Sequence, residues 1–244
     1  PQTKNEKGEA YGMVAWGGAI AEWDAQAKAL ADYAVGKTVE ELKSGAVSES
    51  GYAPEGSDLA TQATIYLGGY VSAIEAAVSN AQHLGAQAGD TLKMAAITGI
   101  GDSKAADAEN AGNAQLNVDV TALTMNGETI TSCSIDAVQA KVAFDAAGAA
   151  SGELNAAPQT KKELKEGYGM KRVSSIGKEW YEQAAALEEW CIGKTVDEVL
   201  GMKTFDRGDG NHTMVPDEAD LKAGCTITVG DYLKALVNAA ADAQ

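Results

Sequence analysis

The chain repeats itself. At an offset of 157 residues, Pro1-Gln2-Thr3-Lys4 matches Pro158-Gln159-Thr160-Lys161, Tyr11-Gly12-Met13 matches Tyr168-Gly169-Met170, and Trp23 matches Trp180. Gly36-Lys37-Thr38-Val39 likewise matches Gly193-Lys194-Thr195-Val196. After a five-residue insertion the offset becomes 162, carrying Thr64-Ile65 onto Thr226-Ile227 and Ala81-Gln82 onto Ala243-Gln244. Ordered matches over this length mean a duplication, and duplicated sequence folds into like modules. The chain thus divides into copy one (1–82), an unlike middle segment (83–157) and copy two (158–244).

Each copy reads as helical. In copy two, Ile176, Trp180, Leu187 and Cys191 recur at helical spacing, with Ser174 or Ser175 as candidate N-cap and Gly193 just past the end. Thr195 with Glu198, and Thr38 with Glu41, form capping boxes for short helices. A last helix is expected from about Asp231, with Leu233, Leu236, Val237 and Ala240 on one face. The middle segment alternates instead. Val118 and Val120, then Val138, Ala140, Val142 and Phe144, are separated by polar residues, and Asn126-Gly127 is a hairpin signal leading into Ile130–Ile135. With Leu92–Ile100 this predicts an antiparallel sheet of about four strands, with Asp102–Asn113 as a loop. The expected class is α+β, a duplicated helical module around one antiparallel sheet. One sheet serves two helical copies, so either a further sheet precedes Pro1, which the placement of the shared Pro-Gln-Thr-Lys favours, or the single sheet packs a copy on each face.

Composition narrows function. A net charge of −16 is spread over all three segments, as 5 Lys against 11 Asp and Glu in 1–82, 3 against 9 in 83–157, and 11 Lys and Arg against 15 in 158–244. Nucleic acids and anionic membranes demand a basic stripe, so neither is an expected partner. No apolar run reaches 18 residues, which excludes a transmembrane segment in this chain. A start at Pro1 points to a processed product. Cys133, Cys191 and Cys225 are odd in number and contain no CxxC pair, and His83 and His212 stand far apart, so neither a disulfide framework nor a metal site is expected.

Most short motifs have plain readings. Gly-Lys-Thr occurs in both copies without the earlier glycine of a phosphate-binding loop, and reads as a helix stop followed by an N-cap. Gly99-Ile100-Gly101 reads as a hairpin loop after a strand, Arg207-Gly208-Asp209 as a turn, and Trp23 and Trp180 as core anchors. With two histidines remote from the cysteines, no catalytic set is apparent, and an enzyme is the least favoured class.

One stretch carries a resemblance. Asp220-Leu221-Lys222-Ala223-Gly224-Cys225-Thr226, just ahead of the last helix, resembles the Asp-x-x-Ser-Gly-Ala-Thr motif of the FMN-binding domain family, whose members carry FMN through a phosphoester to the last Thr. A glycine beside a helix N-terminus suits close approach of a phosphate. The family's upstream hairpin is also matched, by Asn126–Thr131. The resemblance implies that 83–244 is one complete module, with Thr226 as attachment residue and Asp220 and Gly224 in support. Ala223 and Cys225 depart from the motif, and in copy one Gln62 stands where the glycine belongs, which speaks against Thr64. The repeats are also similar to acidic cell-surface lipoproteins of anaerobic Gram-positive bacteria, implying an extracellular or cell-surface location. The resulting expectation is a non-enzymatic binding or structural protein with degenerate FMN-binding-like modules, able to form a homo-oligomer or filament. The alternative is a covalent FMN carrier serving a redox partner in extracellular electron transfer.

Overall fold

The computed structural model describes residues 2–152, 154 and 157–241. Pro1, Ala243 and Gln244, three of the repeat's end positions, lie outside the described residues. The chain forms two compact units, Pro1–Gln82 and His83–Gln244.

The first unit is copy one. A turn of helix, Lys4–Lys7, is capped by Thr3 and Glu6, and leads to α1 (Trp23–Ala34), α2 (Val39–Gly45) and α3 (Gly68–Ser79). Its small core joins Leu30, Leu42, Ala46, Leu59, Ala63, Leu67 and Val71. The second unit opens with a sheet of order β1-β2-β3-β4, namely β1 (Thr91–Gly99), β2 (Gly112–Asn126), β3 (Thr129–Phe144) and β4 (Ala150–Ser151), all antiparallel. Copy two follows, with α4 (Trp180–Cys191), α5 (Val196–Leu200), the hairpin β5 (Thr204–Phe205) with β6 (Val215–Pro216), and α6 (Gly230–Ala241). The α+β class and the antiparallel sheet are as the sequence predicts, and both predicted capping boxes form.

The differences have local causes. The two alternating stretches 130–135 and 138–144 run as one strand, β3, because nothing between them breaks the ladder. The hairpin loop is Gly127-Glu128 rather than Asn126-Gly127, since Asn126 still pairs with Thr129. Gly127, at φ 59°, supplies the positive φ that two-residue hairpins need. A register shift at Thr124/Met125 then keeps both Met125 and Ile130 on the core side. Helix α4 begins at Trp180 with Glu179 at its N-cap, so Ile176 lies outside it and neither Ser174 nor Ser175 caps it. Its N–H groups are met by Glu side chains instead, and Ser174 Oγ accepts from Gln183 Nε2. On α6 the buried face is Tyr232, Leu233, Ala235, Leu236 and Ala239, while Val237 is 40% exposed.

Helix α6 lies across β1 and β2, and α4 lies against β3. The buried positions of α4 (Trp180, Gln183, Ala184, Leu187, Glu188 and Cys191) follow helical spacing and meet Cys133, Ile135 and Ala137 of the sheet in one core. The anchor at the β3 edge is ionic. Glu188 Oε1 accepts from the Ile135 amide at 2.6 Å and from Lys162 Nζ at 2.5 Å. The opposite sheet face, carrying Leu92 and Met94, remains 72% and 66% exposed. All three cysteines are buried in the core, and burial raises the Cys225 thiol to about 11. Cys133 is raised as well, first by its hydrogen bond with Cys191 and then by burial. Only about a thousandth of a thiol with pKa 11 is ionised at pH 8, and the thiolate is the reactive form. Native protein at pH 8 should therefore show almost no reaction with a maleimide, while all three thiols react at once in denaturant; a fast single-site reaction would contradict this packing.

Candidate functional site

Thr226 lies at the wall of a groove of about 690 Å³ within the second unit, between the sheet, the turn of helix Lys161–Leu164, the β5–β6 hairpin and the N-terminus of α6. The floor is ionic and aromatic. Lys161 Nζ stands 5.3 Å from the ring centres of both Tyr168 and Trp180. Burial lowers the Lys161 pKa and raises that of Asp119, and each group's charge partly restores the other's charged form. The Tyr232 hydroxyl is hydrogen-bonded to Asp119, and burial and that carboxylate push its pKa upward. Tyr168 donates to Gln139 Oε1 at 3.2 Å. These contacts join the sheet to copy two through paired polar groups, as burial of charge requires.

The rim is more open. Arg207 donates to the Thr226 carbonyl at 2.9 Å. Lys234 pairs with Asp231 at 2.7 Å. Asp209 accepts from the amides of Asn211 and His212 and meets His212 Nδ1 at 2.7 Å, which brings its pKa down to about 2. The Arg207-Gly208-Asp209 tripeptide is thus a turn closed by its own aspartate. Thr228 Oγ1 is buried in the groove wall and has no hydrogen-bond partner among the described residues. Ser174 and His212 both line the groove, where Ser174 accepts from Gln183 and His212 meets Asp209. Among the described residues no cluster of three or more His, Cys, Asp or Glu could hold a metal, and no helix is long and apolar enough to cross a membrane.

The three residues singled out by the motif separate in space. Thr226 faces the groove, whereas Gly224 and Asp220 do not line it. Gly224 is small because α4 passes close by: a Cβ there would stand 2.9 Å from the Ala186 Cβ. Asp220 accepts from Trp190 Nε1 at 3.1 Å. Both pack against α4. Thr226 itself is engaged. Its amide and its hydroxyl both donate to Gln183 Oε1, at 2.8 and 3.0 Å, and Gln183 is fully buried. Copy one repeats the arrangement, with the Thr64 amide and hydroxyl donating to Gln26 Oε1 at 2.7 and 3.2 Å. The Gly-Lys-Thr lysines are also accounted for. Lys37 donates to the Tyr33 carbonyl and Lys194 to that of Trp190, closing α1 and α4 at their C-termini. The groove residues Lys161, Tyr168, Asp119 and Tyr232 carry no motif. Copy two's repeat marks Lys161, Tyr168 and Trp180 as shared with copy one, but only the fold shows what they meet.

No protein-family model, curated protein or solved structure matches this chain.

Proposed function

We propose that this chain is a non-enzymatic binding and structural protein of the cell surface, and that its second unit takes a small polar ligand reversibly in the groove beside Thr226 instead of carrying flavin on that residue. The observation that carries this reading is the Thr–Gln joint. The hydroxyl that would form the phosphoester is hydrogen-bonded to a buried glutamine, and the same joint recurs in copy one, where the motif's glycine is absent. A contact kept in both copies regardless of the motif is explained by folding. The groove offers a ligand the guanidinium N–H groups of Arg207 beyond the one given to the Thr226 carbonyl. The surface location rests on the resemblance to acidic lipoproteins.

A covalent FMN carrier is the second reading, favoured by the position of Thr226 in the wall of a groove large enough for a nucleotide. Intact mass and in-gel fluorescence on denatured protein from the native host separate the two. The expected result is an unmodified, non-fluorescent chain. A mass excess of one FMN that vanishes in Thr226→Ala would reverse the assignment and make the protein an electron carrier.

A further inference from the structure

The two copies share sequence but not surroundings. In copy one, Trp23, Ala27, Leu30, Ala31, Tyr70 and Ile74 line an open apolar groove of about 130 Å³. The residues matching these six through the repeat are Trp180, Ala184, Leu187, Glu188, Tyr232 and Leu236, none more than 9% exposed. What buries them is the β1–β3 sheet, against which α4 and α6 pack. The groove of copy one is therefore the sheet-binding face of copy two with its sheet removed. Tyr70 accordingly remains 39% exposed where Tyr232 is 5%.

The polar contacts around that face are retained too. Lys4 Nζ lies 5.2 Å from the Tyr11 ring centre and 5.4 Å from that of Trp23, as Lys161 does over Tyr168 and Trp180. Trp23 meets Tyr70 edge-on at 5.9 Å, and Trp180 meets Tyr232 at 6.0 Å. In copy two, Lys161 and Tyr232 converge on Asp119 of the sheet. Among the described residues, Lys4 has no carboxylate partner, and the Tyr70 hydroxyl has no hydrogen bond. Both halves of an acceptor site are present without the acid.

We infer that the Trp23–Tyr70 face of copy one docks an antiparallel β-sheet of the Thr91–Phe144 kind, supplied from outside residues 1–244, with a carboxylate placed as Asp119 is placed against copy two. The Asp119-bearing face of the chain's own sheet is already covered by copy two, so the occupant is a further polypeptide segment. Its edge anchor differs, because Ala31 and Asn5 replace Glu188 and Lys162 at the matching positions. Apolar burial and the Lys–Asp–Tyr cluster thus hold it without that ion pair.

The test uses the full chain with a second copy of residues 83–157 placed ahead of Pro1. This added sheet then leads into copy one as the native sheet leads into copy two. Amide exchange in α1 and α3 should slow about tenfold or more, with exchange protection in the added strands and a blue shift of Trp23 emission. With Asp119→Leu in the added segment alone, the protection should be mostly lost. Equal protection by both versions would overturn the requirement for a carboxylate. An added segment that exchanges freely and leaves copy one unchanged would overturn the docking itself. So would concentration-dependent assembly of the unmodified chain that buries Trp23, because a second copy would then be the occupant.

Discussion

Replacing Trp180 by alanine should cost the second unit about 3–5 kcal/mol, the range for emptying a buried aromatic site. Trp180 is 1% exposed, with Lys161 above its ring and Tyr232 beside it, so its neighbours cannot collapse into the space without breaking the Asp119 cluster. For a unit of this size the melting temperature should fall by about 10 °C. Trp23→Ala should cost far less, about 1–2 kcal/mol, because the matching side chain already borders open solvent and its removal exposes less new apolar surface. Denaturation followed by amide exchange, which reports the two units separately, measures both. Equal losses would mean that Trp23 is as fully packed as Trp180, contrary to the open groove beside it.

A different pair should behave in the opposite way. Gln183→Leu leaves the Thr226 amide and the Lys178 carbonyl, both partly buried, without their partner. Stranded buried groups cost about 1–3 kcal/mol each, so a loss of about 3 kcal/mol is expected although leucine fills nearly the same volume. Gln26→Leu strands the Thr64 amide and the Ala21 carbonyl in the same manner. Gln26 is fully buried like Gln183, and its contacts lie wholly inside copy one. The two losses should therefore be similar. The comparison separates what belongs to the repeat from what the sheet adds: the Thr–Gln joint is complete within each copy, whereas the tryptophan site is complete only under a sheet. A Gln26→Leu variant as stable as the parent chain would show that copy one does not depend on the joint.

The contrast bears on the motif as well. Asp220, Gly224 and Thr226 form a cluster in sequence, and in the fold the first two pack against α4 while the third joins Gln183. A short motif records residue types and spacing. It does not record whether a glycine is small for a phosphate or for a neighbouring helix, since both need the absence of a Cβ.

The sequence by itself determined the duplication, the α+β class, the antiparallel sheet and the helix ends at Thr38 and Thr195. These features are local: alternation, helical spacing and capping boxes are set by residues within a few positions of each other, and they survive any tertiary arrangement. The start of α4 was less legible, because Ser174 and Ser175 are good caps in isolation and only the tertiary contact to Gln183 diverts Ser174. The merging of two alternating stretches into β3, with its bulge, depended on pairing along the full length of β2. The groove was the least legible part. Lys161, Asp119 and Tyr232 are separated by tens of residues and stand on a helical turn, a strand and a helix, and nothing in their spacing announces that they meet. Tertiary structure alone decided that meeting. It also decided that two similar helical faces differ in burial, because the sheet packed on copy two excludes water from Trp180.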